Sequence, residues 1–184
     1  MLRCHDTIRT SRRVVATALF AGSLLFAGPA AAQSGGVATP GSPPPAGPPG
    51  KAKLLKNGKA IPPSNAPARV VRAIEAANRI RKKPYIYGGG HKSFNSRGYD
   101  CSGAVSYVLH AAKMLRAPLP SGSLTRWGRK GRGAWITVYA NGGHAYAVIA
   151  GLRWDTSGTS GSGPSWHSDV RSPAGYVARH PAGY

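Results

Sequence analysis

One short stretch, Gly98-Tyr99-Asp100-Cys101-Ser102-Gly103, constrains the fold of this chain more than any other. Asp100 is a good N-cap, because its carboxylate accepts bonds from the orphan N–H groups of a first helical turn. The run Ala104 to Leu115 that follows reads as helix. Its apolar residues Ala104, Val105, Val108, Leu109, Ala112 and Leu115 fall on one stripe at helical spacing. Cys101 lies on the same stripe, in the first turn. The positive end of the helix dipole there favours thiolate over thiol. A packing cysteine is the commoner fate of a lone Cys. The rest of the chain decides between that and a nucleophile.

The first 32 residues read as a secretory leader. Arg3, Arg9, Arg12 and Arg13 make a positive start, Val14 to Ala27 is apolar but short, and Ala30-Ala31-Ala32 supplies small residues before Gln33. Cleavage is expected between Ala32 and Gln33, in preference to an uncleaved membrane anchor, and no transmembrane segment is expected in the mature chain. Cys4 leaves with the leader, so Cys101 becomes the one cysteine. An exported chain with a single thiol cannot close an internal disulfide, which favours a thiol kept for use.

The chain has 25 Lys+Arg against 5 Asp+Glu. Without the leader, 21 basic side chains face four acidic ones, Glu75, Asp100, Asp155 and Asp169. That balance favours polyanionic surroundings, and for an exported protein the natural polyanions are anionic cell-wall polymers. Nucleic acid is not expected, since no recognised binding motif is present. Residues 33–64 form a linker or arm. Gln33 to Gly50 is rich in Pro, Gly, Ser and Ala and reads as an extended tether. Lys51 to Pro63 is basic with Leu54, Leu55 and Ile61, and either packs on the domain or stays loose. Residues 65–184 make one domain, long enough for a single core.

Within it, Asn65-Ala66-Pro67 opens a helix whose apolar face is Val70, Val71, Ile74, Ala77 and Ile80, and Pro84 ends it. Pro84-Tyr85-Ile86-Tyr87-Gly88-Gly89-Gly90-His91 then leads toward Asp100 and puts Tyr85, Tyr87 and His91 near the thiol. Pro118, Pro120 and the Gly/Arg-rich run to Gly133 break regular structure, with Trp127 as an anchor and Arg126, Arg129, Lys130 and Arg132 as a solvated basic cluster. From Ala134 the pattern turns to strands. Trp135 to Tyr139 is β-branched and aromatic, Asn141-Gly142-Gly143 is a turn, and His144 to Ala150 returns. Leu152 to Asp155 makes a third strand, Thr156 to Ser165 a loop, and Gly175 to Arg179 a last strand. Helices followed by an antiparallel sheet define an α+β class, here with about four to six strands and the Cys101 helix packed on them.

A thiol nucleophile is best activated by an imidazole that a third polar group orients. Of His91, His110, His144, His167 and His180, His110 is nine residues along the helix from Cys101 and half a turn out of phase. His167 and His180 read as surface residues. His144 opens a core strand after a turn and is the first candidate, with His91 second. Asp155 ends the neighbouring strand and is the candidate orienting group, against the plainer role of capping the loop that follows.

The order Pro-Tyr-x-Tyr-Gly-Gly, then Asp-Cys-Ser-Gly at a helix start, then Gly-His entering a strand, resembles the NlpC-type cell-wall cysteine peptidases. The resemblance covers about Ile74 to Asp155. It implies a papain-like α+β domain that cuts peptidoglycan stem peptides at a D-γ-glutamyl bond to a diamino acid. It implies Cys101 as nucleophile, His144 as base and Asp155 as the orienting residue. Tyr85 would lie beside the nucleophile, and Asp100 and Ser102 would help bind substrate. No metal or cofactor is implied. Gly131-Arg132-Gly133-Ala134 stands where the family carries Pro-Gly-Asp-Leu. The competing function is a non-catalytic, basic envelope-binding domain that attaches to anionic wall polymers through its charge.

Overall fold

The computed structural model describes residues 48–158 and 162–184. The leader, residues 33–47 of the tether and residues 159–161 of the loop after Asp155 lie outside them. The described residues belong to one compact unit. It opens with a hairpin, β1 (Lys53–Leu54) and β2 (Ala60–Ile61), followed by α1 (Ala68–Ile80), α2 (Cys101–Ala111) and the single turn α3 (Ser121–Leu124). Then come β3 (Arg129–Lys130), β4 (Ile136–Ala140), β5 (Ala145–Ile149), β6 (Leu152–Asp155), β7 (Ser165–His167) and β8 (Val177–His180). The last six form one antiparallel sheet in the order β3-β8-β4-β5-β6-β7. The α+β class and the antiparallel sheet expected from the sequence are both present.

Period-two alternation gives this sheet two different faces. Val138, Ala147, Trp154 and Trp166 are in register across four strands. With Ile136, Ala145, Ile149 and Leu152 they join the core that α1 and α2 cover. Trp154 donates its indole N–H to the Ala104 carbonyl, 3.3 Å away, which fastens β6 to α2. The other face carries Tyr139 opposite Tyr146, and Arg153 and Asp155 two residues apart on β6. His144, two residues before Tyr146, belongs to that second face.

The helices form where the apolar stripes put them. On α1, Val70, Ile74, Ala77 and Ile80 are buried as expected, while Val71 is only half-buried and Ala73 and Ala76 are buried beside them. Small residues there let α1 approach α2 closely. Asn65 does not cap this helix. Pro67 occupies the cap position, and the Asn65 amide donates to the Pro48 carbonyl instead (2.9 Å). On α2, Asp100 caps with its Oδ1 accepting from the Gly103 N–H at 2.7 Å. The helix ends with Lys113 in the left-handed region (φ 58) and a Met114 N–H to Leu109 carbonyl bond (2.9 Å). Glycine is the usual residue in that closure, and a lysine there costs roughly 1 kcal/mol or more of backbone strain.

Five elements escaped the sequence reading, the hairpin strands β1 and β2 in the basic arm and three more. β3 lies inside the basic Gly/Arg run and is held by pairing with β8, with no burial of its own. β7 emerges at the end of the Ser/Gly-rich loop because Trp166 packs on Trp154. The turn α3 follows Pro120 and buries Leu124. The arm Lys51 to Pro63 packs on the domain. Ala52 N–H bonds the Ala150 carbonyl (2.8 Å), and the Asn78 side chain both donates to and accepts from the Ala60 backbone (2.8 and 2.9 Å). Asn78 Oδ1 also accepts from the Trp166 indole (3.0 Å). Among the described residues, no helix is long and apolar enough to cross a membrane.

One amide thus ties the hairpin and β7 to α1. Replacing Asn78 by Ala leaves the buried Ala60 backbone unpaired and is expected to lower the unfolding free energy by about 2–3 kcal/mol. Urea denaturation measures this. An unchanged midpoint would mean that the hairpin contributes nothing to the unit.

Candidate active site

Cys101 begins α2, is buried and is free of any disulfide. Its position depends on the glycine loop before it. The Asp100 carboxylate accepts from the Gly88 N–H (3.1 Å) as well as from Gly103, and the Asp100 N–H bonds the Gly89 carbonyl (3.2 Å). A Cβ at Gly103 would run into the Gly89 carbonyl oxygen, so the loop lies against the first turn only because residue 103 has no side chain.

His144 comes from the other side, immediately before β5. The turn presents it: Asn141 Oδ1 accepts from the Gly143 and His144 N–H groups (3.0 and 2.8 Å). Its Nε2 lies 2.9 Å from Asp155 Oδ1 and 3.2 Å from Ser157 Oγ. Cys101 is close enough to be among the groups that raise the His144 pKa. With Nε2 engaged by Asp155, Nδ1 is the nitrogen left for sulfur. The structure therefore brings Cys101, His144 and Asp155 together as a linked row.

Burial alone would pull the imidazole pKa down. The hydrogen bonds to Asp155 and Cys101, and their charges, outweigh it and push His144 up to about 9. Burial pushes Asp155 the other way, upward, but bonds from His144 and the Ser157 N–H, with the adjacent guanidinium of Arg153, hold it down at about 2. At neutral pH the pair is imidazolium and carboxylate.

Asp155 is wholly buried and has more partners than the histidine. Arg153 Nη1 donates to Oδ2 at 2.6 Å and Arg171 Nη1 at 3.4 Å. Arg153, itself buried, also holds Asp169 through Nη2 (2.8 Å) and the Asp169 carbonyl through Nε (3.1 Å). Arg171 lies over the rings of Tyr146 and Tyr176, 5.5 and 5.4 Å from their centroids, a cation–π arrangement. Tyr176 presents its ring near edge-on to both His144 and Tyr146. Arg153, Ser157, Arg171 and Tyr176 were not singled out from the sequence. Arg153 had a signal, since two residues before Asp155 on a strand means the same face. Arg171 and Tyr176 arrive from a distant loop and had none.

A cleft of about 280 Å³ opens at Cys101. Tyr85, Asp100 and Ser102 line it on one side with His91, and Ser121 and Gly142 on the other. The Tyr85 phenol pKa is raised by burial and then by the charges of Cys101 and Asp100, consistent with a ring beside the thiol. His91 does not serve as the imidazole of the row. Its Nε2 sits 2.9 Å from Ser102 Oγ and 3.0 Å from Asp100, so three of the cleft's polar groups bind one another. His110 stacks on Phe94 (3.8 Å) with Nδ1 on the Leu115 carbonyl, and His180 bonds Gly131, both away from the cleft. His167 is largely covered, beside Ser165 and Asp169. Among the described residues, no group of three His, Cys, Asp or Glu is placed to hold a metal ion.

No protein-family model matches the chain, and no curated protein matches it in sequence. Among solved structures it is similar to a variant of the resuscitation-promoting-factor-interacting protein RipA, at 24% identity over 61% of this chain and 62% of that one, with a TM-score of 0.47. It is similar to an NlpC/P60 family protein from Bacillus cereus, at 20% identity over 62% and 40% of the two chains, TM-score 0.48. It is also similar to RipD from Mycobacterium tuberculosis, a non-catalytic NlpC/p60 domain protein, at 20% identity over 62% and 98%, TM-score 0.44. The chain thus spans less than two thirds of the length of the first two. NlpC/P60 is the family that the Asp-Cys-Ser-Gly and Pro-Tyr-x-Tyr-Gly-Gly motifs resemble.

The opposed shifts of His144 and Asp155 set a pH window. The folded imidazole binds its proton more tightly than an unfolded one, so its stabilisation is complete below the ordinary 6.5 and is lost as pH rises through about 9. The folded carboxyl releases its proton more readily, so its stabilisation is complete above 3.8 and is lost as pH falls through about 2. Titration of the His144 ring by NMR is expected to give a value near 9 in the wild type and a clearly lower one in Asp155→Asn. Equal values in both proteins would remove Asp155 as the group that holds the imidazolium.

Proposed function

We propose that this chain is an exported cysteine peptidase that hydrolyses amide bonds in peptidoglycan stem peptides. The observation that carries the reading is Cys101 at the cleft with His144 beside it, the imidazole held by Asp155 at 2.9 Å and its pKa raised to about 9. The motifs around Cys101 and Tyr85 supply the substrate class by their resemblance to the NlpC-type peptidases.

In this mechanism the Cys101 thiolate attacks the scissile carbonyl carbon and forms a carbon–sulfur bond. The Cys101 N–H, first in α2 and without an intrahelical acceptor, bonds the developing oxyanion with help from the Tyr85 hydroxyl. The His144 imidazolium gives its proton to the leaving nitrogen as the carbon–nitrogen bond breaks. A water then attacks the thioester, loses its proton to His144, and releases the acid and the thiolate. Asp155 keeps the ring oriented and favours its charged form. Asp100 and Ser102 stand at the cleft wall, where they would meet the stem peptide together with His91. The D-γ-glutamyl to diamino acid bond is the substrate this reading assigns.

Digestion of purified peptidoglycan, read by mass spectrometry, tests it. Wild type is expected to release stem-peptide fragments that Cys101→Ala does not. Hydrolysis is expected to fall about tenfold per pH unit above about 9, where His144 loses its proton. Wall binding without cleavage by either protein would instead favour a basic binding domain.

A further inference from the structure

The two oxygens of Asp155 have different partners. Oδ1 meets His144 Nε2 (2.9 Å) and the Ser157 N–H (3.0 Å). Oδ2 accepts from two guanidinium groups, Arg153 Nη1 at 2.6 Å and Arg171 Nη1 at 3.4 Å. We propose that Arg153 and Arg171 are positioning residues for the peptidase reaction: by holding Oδ2 they fix which oxygen faces the imidazole, and by sharing the charge of the carboxylate they keep the imidazolium able to give its proton away. The catalytic meaning rests on the proposed peptidase function; the electrostatic part does not.

Three observations support this. The first is how firmly Arg153 is held. It is buried, and all three of its guanidinium nitrogens have acceptors. Besides Asp155, Nη2 donates to the Asp169 carboxylate (2.8 Å) and Nε to the Asp169 carbonyl (3.1 Å). A rigid fork fixed at its other prongs cannot swing away from Oδ2, so the carboxylate cannot turn that oxygen to the ring. The second is the placement of Arg171. It lies over the rings of Tyr146 and Tyr176, and the same two rings pack beside His144, at 6.5 and 6.3 Å between centroids. The aromatic pair that confines the imidazole therefore also carries the second arginine.

The third is the charge around the ring. Asp155 from β6 and Cys101 from α2 both favour its protonated form. Tyr146, on its own strand, is pushed up to about 12, chiefly by burial, and stays uncharged. Tyr176, from the covering segment, presents a ring edge. Farther out, His167 on β7 is held below its ordinary value by burial and then by Arg153, so it is uncharged at neutral pH. Asp169 is largely exposed, where water screens it. Arg153 and Arg171 are thus the cations set against the hold of Asp155 on the proton. Without them the imidazolium would be a weaker acid, less able to protonate a leaving nitrogen near neutral pH.

The test is NMR titration of the His144 ring in the full protein. Arg153→Gln is expected to raise it about one pH unit above the wild type, and Arg171→Gln, at a longer and more exposed contact, by about 0.3 unit. Both shifts are opposite in sign to that of Asp155→Asn. Arg153→Lys keeps the charge and is expected to stay within about 0.3 unit of the wild type. Asp169→Asn keeps both cations but cuts the side-chain link from Arg153 to the covering segment, and is expected not to raise the titration. With a soluble stem peptide at pH 7, Arg153→Gln is expected to lower kcat about threefold with KM unchanged, since neither arginine lines the cleft. The basic limb of the rate moves up with the titration. If Arg153→Gln does not fold, Arg171→Gln decides the sign. A His144 titration that is unmoved or lowered in the Arg→Gln variants, or raised equally in Asp169→Asn, would overturn the proposal. The titration needs no turnover, so it is separable from the peptidase reading. A protein that cuts nothing can still show the rise, and cleavage with an unmoved titration removes the arginines alone.

Discussion

A wholly buried carboxylate is tolerated only when its charge is answered, and Asp155 is answered by four partners. His144, the Ser157 N–H, Arg153 and, at longer range, Arg171 each reach it within hydrogen-bond distance. Each partner belongs to a different demand of the fold. His144 needs the β4–β5 turn, Ser157 needs the chain to bend right after β6, and Arg153 needs the segment carrying Asp169 to fold back over the second sheet face. A buried carboxylate stripped of one partner becomes strongly destabilising. The carboxylate therefore couples the site to the sheet edge, the turn and the covering segment at once. It also explains why the second face, although polar, is nearly as buried as the first.

The helix end is held by a parallel device. Asp100 joins the glycine loop to the first turn of α2 and simultaneously takes up His91 and Ser102. So two carboxylates, one on each side of the cleft, fix the two halves of the site independently. Asp100 orients the sulfur by fixing the helix start, and Asp155 orients the imidazole.

Much of this was legible in the sequence because it rests on local chemistry. The cap at Asp100, the stripe of α2 and the hairpin at Asn141-Gly142-Gly143 are all local patterns, and each forms. His110 was excluded by helical phase alone, and it does stack away on Phe94. What was not legible depends on distant partners. β3 is two exposed basic residues with no strand pattern, and only β8 makes it a strand. Trp166 lies beyond the expected loop in a stretch without a strand pattern, and it joins a strand only with Trp154 and Asn78 beside it. Asn65 does not cap α1 because the helix begins two residues later than a cap there would need, with Pro67 in the cap position and no side-chain cap bond, and the Asn65 amide donates to the Pro48 carbonyl instead. At the site, alternation along β6 carried enough information to pair Arg153 with Asp155. Nothing in the residues around Arg171 announced that it would reach the same oxygen.

The distribution of charge follows from how few carboxylates there are. Outside the leader the chain has four, and three sit in contact with the two halves of the site. Around His144 the charges nearly cancel: Asp155 and Asp169 answer Arg153 and Arg171, and the imidazolium answers the sulfur anion of the proposed nucleophile. Elsewhere among the described residues no cation makes an ion pair with a carboxylate. Close, buried pairs are little affected by salt, whereas exposed charges more than about 10 Å apart are screened. The two regions should therefore respond to the medium differently. A polyanion or added salt changes the field over the exposed cations, while the proton on His144 is held chiefly by the buried carboxylate of Asp155, 2.9 Å away, which neither can displace. A strongly basic protein can thus adhere to an anionic matrix without altering the ionisation on which its proposed chemistry depends.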